Sequence, residues 1–162
     1  ADTSNFLTEH GIGSYEELLD RCEAASASVA RLKADLRDTG AKIDELALKM
    51  KHVSTYRQLK PIYNRYKASR DKEKFLRGHE SEIILFEAAA RECKRLGAVP
   101  LPATVRMQAE MDELNVRKAA LKAELQKAQR EERDYAAIRR NVEDFLSPPQ
   151  PERERKKDVE LE

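Results

Sequence analysis

The sequence predicts an all-α protein: a long antiparallel coiled-coil hairpin of two helices, with a two-helix excursion at its tip. Three observations predict it. Charged residues are 38% of the 162 and aromatics 6%, with no Trp, 5 Gly and 6 Pro. That composition suits helices with charged outer faces and narrow apolar seams, and leaves little for strands or turns. Apolar residues recur at helical spacing over two long stretches, 15–53 and 104–146. The two stretches match in length and are separated by two shorter helical segments, which favours pairing within one chain, where the partner is always at high effective concentration.

Taken in order, residues 1–13 read as a leader carrying His10, Gly11 and Gly13. Ser14-Tyr15-Glu16-Glu17 is a capping box, so a helix begins at 14. Its seam reads Tyr15, Leu18, Cys22, Ala25, Val29, Leu32, Leu36, Thr39, Ile43, Leu46, Met50 and Val53. Eleven of these twelve are hydrophobic, against roughly five from the chain's 40% background, which marks a helix packed lengthwise on another. At 1.5 Å per residue, 15–53 spans about 58 Å. Gly40 is its weak point, since a mid-helix glycine costs about 1 kcal/mol relative to alanine.

The register then breaks. Thr55 and Gln58 form a second capping pair, and Lys60 precedes Pro61, which disfavours helical angles at Lys60. A bend is therefore expected at 54–61, a second helix over 55–77 ending at Gly78, and a third over 80–96. The third carries Ile83, Phe86, Ala90 and Cys93 inward and is stopped by Gly97. Leu101-Pro102 opens the last helix, 103–146, with the seam Met107, Met111, Leu114, Lys118, Leu121, Leu125, Ala128, Glu132, Tyr135 and Val142. The helical domain thus covers 14–146. Residues 147–162, with Pro148, Pro149, Pro151 and a charged run, read as a disordered tail, and Leu161-Glu162 as a cloning scar. Ala1 in place of an initiating Met leads us to expect a piece of a larger protein.

Chemical motifs are scarce. His79-Glu80-Ser81-Glu82 begins like a zinc-protease signature, but Ile83 stands where the second histidine must be. Gly11-Ile12-Gly13 lacks the third glycine of a dinucleotide loop. His10, His52 and His79 fall on separate elements, and Cys22 and Cys93 have no ligand partner at metal spacing. The expectation is a non-enzymatic chain with no cofactor and no metal. Two isolated cysteines fit a reducing, cytoplasmic setting, and no apolar run approaches the ~18 residues of a membrane span.

Charge is the informative feature. The totals nearly cancel, 31 basic against 30 acidic, but ten basic residues fall between Lys49 and Arg77 with only Asp71 and Glu73 opposing them. That stretch is +8 and the remainder −7. Tyr56, Tyr63, Tyr66 and Phe75 are interleaved with it. A basic patch neutralises phosphates and releases counterions, and aromatic faces can stack on unpaired bases. Tyr56, Tyr63 and Tyr66 also stand at helical core spacing, which favours their burial, and the basic run fits a solvated helix face equally well. The residues that would contact nucleic acid are Lys60, Arg65, Lys67, Arg70, Lys72, Lys74 and Arg77.

Several stretches carry a resemblance: Tyr63-Asn64-Arg65-Tyr66-Lys67, Arg70-Asp71-Lys72-Glu73-Lys74-Phe75, His79-Glu80-Ser81-Glu82 and Leu85-Phe86-Glu87-Ala88-Ala89. With Leu101-Pro102, the charged helix from Lys118 to Tyr135, and Arg140-Asn141-Val142-Glu143, they resemble the helical C-terminal region of relaxase/mobilisation nucleases. The nearest type is that of Gram-positive plasmids and integrative elements. The resemblance covers about Tyr56 to Leu146. It implies a conjugation protein whose nuclease domain, with its tyrosine nucleophile and metal-holding histidines, lies N-terminal to a segment like this one. Neither motif matches here, so no catalytic residue carries over. The expected role is accessory: weak, backbone-mediated DNA contact, or assembly with relaxosome and transfer-machinery proteins. The alternative is a protein–protein docking or homodimerisation coiled coil without DNA contact, favoured by the polar seam residues Lys118 and Glu132.

Overall fold

A computed structural model describes residues 2–147. It is 88% helix, with no strand among the described residues. The helices are α1 (Thr3–Glu9), α2 (Tyr15–Ala68), α3 (Lys72–Arg95) and α4 (Thr104–Leu146). The chain divides into two compact units: residues up to Ala34 with those from Ala123 on, and Asp35–Lys122. The tail expected over 147–162 lies outside the described residues from 148 onward.

In the first unit the leader is partly helical. Asp2 caps α1, its Oδ1 accepting from the Ser4 N–H at 2.9 Å. Phe6 stacks on His10 with centroids 3.9 Å apart and meets Tyr135 edge-on at 5.3 Å. Ser14 caps α2: its hydroxyl accepts from Glu17 N–H at 3.1 Å, while the Glu17 carboxylate accepts from Gly13 N–H at 2.7 Å. The reciprocal bond therefore falls one residue earlier than in the standard box. Replacing Ser14 with alanine is expected to cost about 1 kcal/mol in urea unfolding, the usual cost of a lost N-cap. Leu18, Val29 and Leu32 are buried here with Ala128 and Ile138. Ile138 is absent from the seam read in the sequence, which passed from Tyr135 to Val142.

Tyr15 and Glu143 tie α2 to α4 in this unit. The Tyr15 hydroxyl donates to Glu143 Oε1 at 2.5 Å, and Arg139 Nε donates to the same oxygen at 2.8 Å. The Cys22 thiol donates to the Tyr135 carbonyl at 3.6 Å. The Arg139 guanidinium, and after it the Tyr15 hydroxyl, hold the Glu143 carboxyl below its ordinary pKa. The Tyr15 phenol is pushed up, chiefly by its bond to Glu143. For Glu143 the folded value is the lower one, so its contribution is present above the unfolded value of about 4.3 and lost as pH falls through the folded value. For Tyr15 the folded value is the higher one, so its contribution is present below about 10 and lost as pH rises through it. Stability measured against pH should therefore decline at both ends, and Glu143→Gln should flatten both limbs. An unaltered profile in that variant would count against the network.

In the second unit the bend expected at 54–61 is absent. α2 runs on through Pro61, and Thr55, expected to cap a new helix, donates to the Lys51 carbonyl inside the old one at 3.1 Å. An interior proline costs about 3 kcal/mol, so packing must offset it. Tyr56 and Tyr63, either side of Pro61, both lie against Phe86, at 4.7 and 4.3 Å between centroids. Arg57 donates to the Pro102 carbonyl at 2.5 Å and to the Thr104 hydroxyl at 2.9 Å.

The helix end expected at Gly78 also moves. α2 stops at Ala68, the Ser69 hydroxyl donates to the Asp71 carbonyl at 3.1 Å, and the Asp71 carboxylate accepts from Lys74 N–H at 3.1 Å. Asp71 is thus the N-cap of α3, a local signal stronger than an isolated glycine. The distortion survives only as non-helical angles at His79 (φ −137°, ψ 23°). Ile83, Phe86 and Cys93 are buried as expected, with Ala89 rather than Ala90. Gly97 ends α3 at φ +71°, where Ala98 N–H reaches the Cys93 carbonyl (2.8 Å) and Gly97 N–H the Lys94 carbonyl (3.2 Å). That double bond pattern is a Schellman motif, with the buried Cys93 and Ala98 in the same apolar cluster as Leu46, Val53 and Met107. Burial also pushes the Cys93 thiol pKa up.

Candidate nucleic-acid interface

The last turns of α2 place Tyr56, Lys60, Tyr63 and Lys67 at i, i+4, i+7 and i+11, one stripe of alternating rings and ammonium groups. α3 returns beside it, because the turn at Ser69–Asp71 is short. The result is a continuous row of six rings in the second unit. Tyr56 lies against Phe86 at 4.7 Å, Phe86 stacks on Tyr63 at 4.3 Å and 26°, and Tyr63 meets Tyr66 at 6.1 Å. Tyr66 meets Phe75 at 6.1 Å, and Phe75 stacks on His79 at 4.4 Å. Phe86 is buried at 3% exposure, and the other five rings are half-buried.

Three cations stand over this row. Lys60 Nζ is 5.4 Å from the Tyr56 centroid, 5.8 Å from Tyr63 and 5.5 Å from Phe86. Lys67 Nζ is 5.3 Å from Tyr63, and the Arg65 guanidinium carbon 5.7 Å from Phe75. Each such contact is worth about 0.5–1 kcal/mol at an exposed site. One contact barely exceeds thermal energy, but three on one ammonium group are enough to bias its position.

The remaining expected residues divide as follows. Arg70, Lys72 and Lys74 are exposed, and Arg77 is exposed with Nε donating to the Glu73 carbonyl at 3.4 Å. Among the described residues, no carboxylate lies within ion-pair distance of any of the seven. Two other members of the basic run are engaged elsewhere. Arg57 is held by Pro102 and Thr104, and Lys49 lines a cleft with Lys42, Glu45, Glu110, Glu113 and Arg117.

The seven expected cations are countable in the sequence, but Phe86, the ring on which Tyr56, Tyr63 and Lys60 converge, is not identifiable there as their neighbour. Phe86 read simply as an inward residue of another helix, and only its contact across the turn makes it part of this surface. His79 likewise ends the ring row, with Nδ1 3.5 Å from Glu82 Oε1. Among the described residues no group of three or more His, Cys, Asp or Glu side chains could hold a metal ion. No described helix is long and apolar enough to cross a membrane. Comparison with family models, curated proteins and solved structures finds nothing that matches the chain.

Proposed function

We propose that this chain is a non-catalytic accessory helical region of a conjugative relaxase, acting in the cytoplasm, and that its Lys60–Arg77 surface holds the phosphate backbone of DNA during mobilisation. The observation that carries the DNA reading is the set of seven cations that have no carboxylate partner among the described residues, three of them standing over aromatic rings. Such charges keep their full attraction for an incoming polyanion, whereas internally paired ones do not. The relaxase assignment rests on the resemblance of residues 56–146 described above. We also read α2 and α4 as an antiparallel pair. Within the first unit Tyr15 meets Glu143 and Cys22 meets Tyr135, so advance along one helix matches retreat along the other.

Fluorescence-anisotropy titration with a labelled duplex at 50–200 mM salt tests the DNA reading. Engagement of three or more phosphates gives a slope of log K against log salt of about −3 or steeper. Absence of binding at 50 mM salt, or a flat slope, would remove it.

A second reading, docking to a transfer-machinery protein or to a second copy, is favoured by Val105 and Val116, exposed at 81% and 71% on α4. Light scattering across a concentration series separates monomer from dimer.

A further inference from the structure

The rings of this surface have little free face to offer a base. Tyr63 is stacked on Phe86 and also lies beneath Lys60 and Lys67. Phe86 is buried, with Tyr56 and Tyr63 against it and Lys60 over it. Phe75 is stacked on His79 with Arg65 over it. Tyr66 meets Tyr63 and Phe75 only at tilted angles of 43° and 37°, and no cation of the described residues stands over it. Stacking on Tyr56, Tyr63 or Phe75 would therefore require a base to displace a cation that the same ligand's phosphates attract.

From this we infer that the ligand class of the surface is the phosphate chain itself, independent of bases, and that Tyr56, Tyr63, Phe75 and Phe86 are positioning residues that hold Lys60, Arg65 and Lys67 in place. The inference rests on the DNA reading above and narrows it. Rings that stack on bases discriminate strands with bases from strands without them. Rings that hold cations do not, because the phosphate count is unchanged. An ammonium group over three rings, as that of Lys60 is, also starts from a restricted position, so less side-chain freedom is lost when a phosphate arrives.

The test compares three probes of equal length at one low salt concentration: a single strand of mixed sequence, an abasic strand with the same sugar–phosphate chain, and a duplex. The abasic strand is expected to bind within about twofold of the ordinary strand. Base stacking would instead weaken it roughly fivefold or more for each stacked base lost. Tyr63→Phe should bind as the parent does, and Tyr63→Leu roughly three- to fivefold more weakly, because the ring face beneath Lys60 and Lys67 is gone. Circular dichroism at the assay temperature establishes that both variants are folded, and the probe comparison with the parent protein needs no variant. Binding to the ordinary strand that disappears with the abasic strand would overturn the inference and leave the DNA reading standing. Failure of all three probes would remove both.

Discussion

Phe86→Ala is expected to destabilise the Asp35–Lys122 unit by about 3–5 kcal/mol, the range for removing a buried aromatic ring from a packed site. The ring is 3% exposed and lies between Tyr56 and Tyr63, side chains about two turns apart on one helix that cannot close the gap without moving that helix. The loss has a second part. Pro61 lies between those two tyrosines, and the tolerance of an interior proline depends on what holds the helix on either side of it. Without Phe86 the helix should fray near Pro61, and the bend that local sequence signals favour should emerge. Urea unfolding followed by circular dichroism gives the stability change, and amide exchange at 57–65 reports the local opening. A loss below about 1 kcal/mol with unchanged exchange would show that Phe86 does not stabilise this junction.

Reversing Arg65, Lys67 and Arg70 together to glutamate is expected to weaken duplex binding by about 100-fold or more near physiological salt. Each phosphate contact given up forfeits its counterion release, about five- to sixfold in affinity at that ionic strength, and three multiply to that figure. The slope of log K against log salt should become shallower by about 2.7. All three side chains are exposed and none is in an ion pair within the described residues, so the thermal unfolding midpoint should change little. Unchanged affinity with a folded protein would move the DNA contact, if any, off this surface.

What was legible in the sequence depended on how local its cause was. The α2 seam was legible because burial follows the 3–4 repeat: all twelve positions from Tyr15 to Val53 are buried or half-buried. The stop at Gly97 was legible because a left-handed terminal residue has a nearly unique amino acid. The bend expected at 54–61 does not form because Pro61 and Thr55 are local signals outweighed by packing on Phe86, a residue of another helix. The expected break at Gly78 gives way to Asp71, an equally local signal that caps α3 seven residues earlier. The same limit applies to the candidate site. Its cations are countable along the chain, but which of them stand over rings depends on how α3 returns along α2 after the turn at Ser69–Asp71. No spacing within a single helix encodes that.

The most direct test of the central claim is to map where DNA touches the protein. Chemical-shift perturbation of the isotope-labelled chain by a short duplex at low salt, with lysine ammonium and arginine side-chain signals followed alongside the amides, locates that contact. The account predicts changes concentrated on Lys60, Arg65, Lys67, Arg70, Lys72, Lys74 and Arg77 and on the rings beside them, fading as salt is raised. Perturbations centred elsewhere, for example on α1 or the outer face of α4 around Val116, would contradict it, as would a spectrum that DNA leaves unchanged.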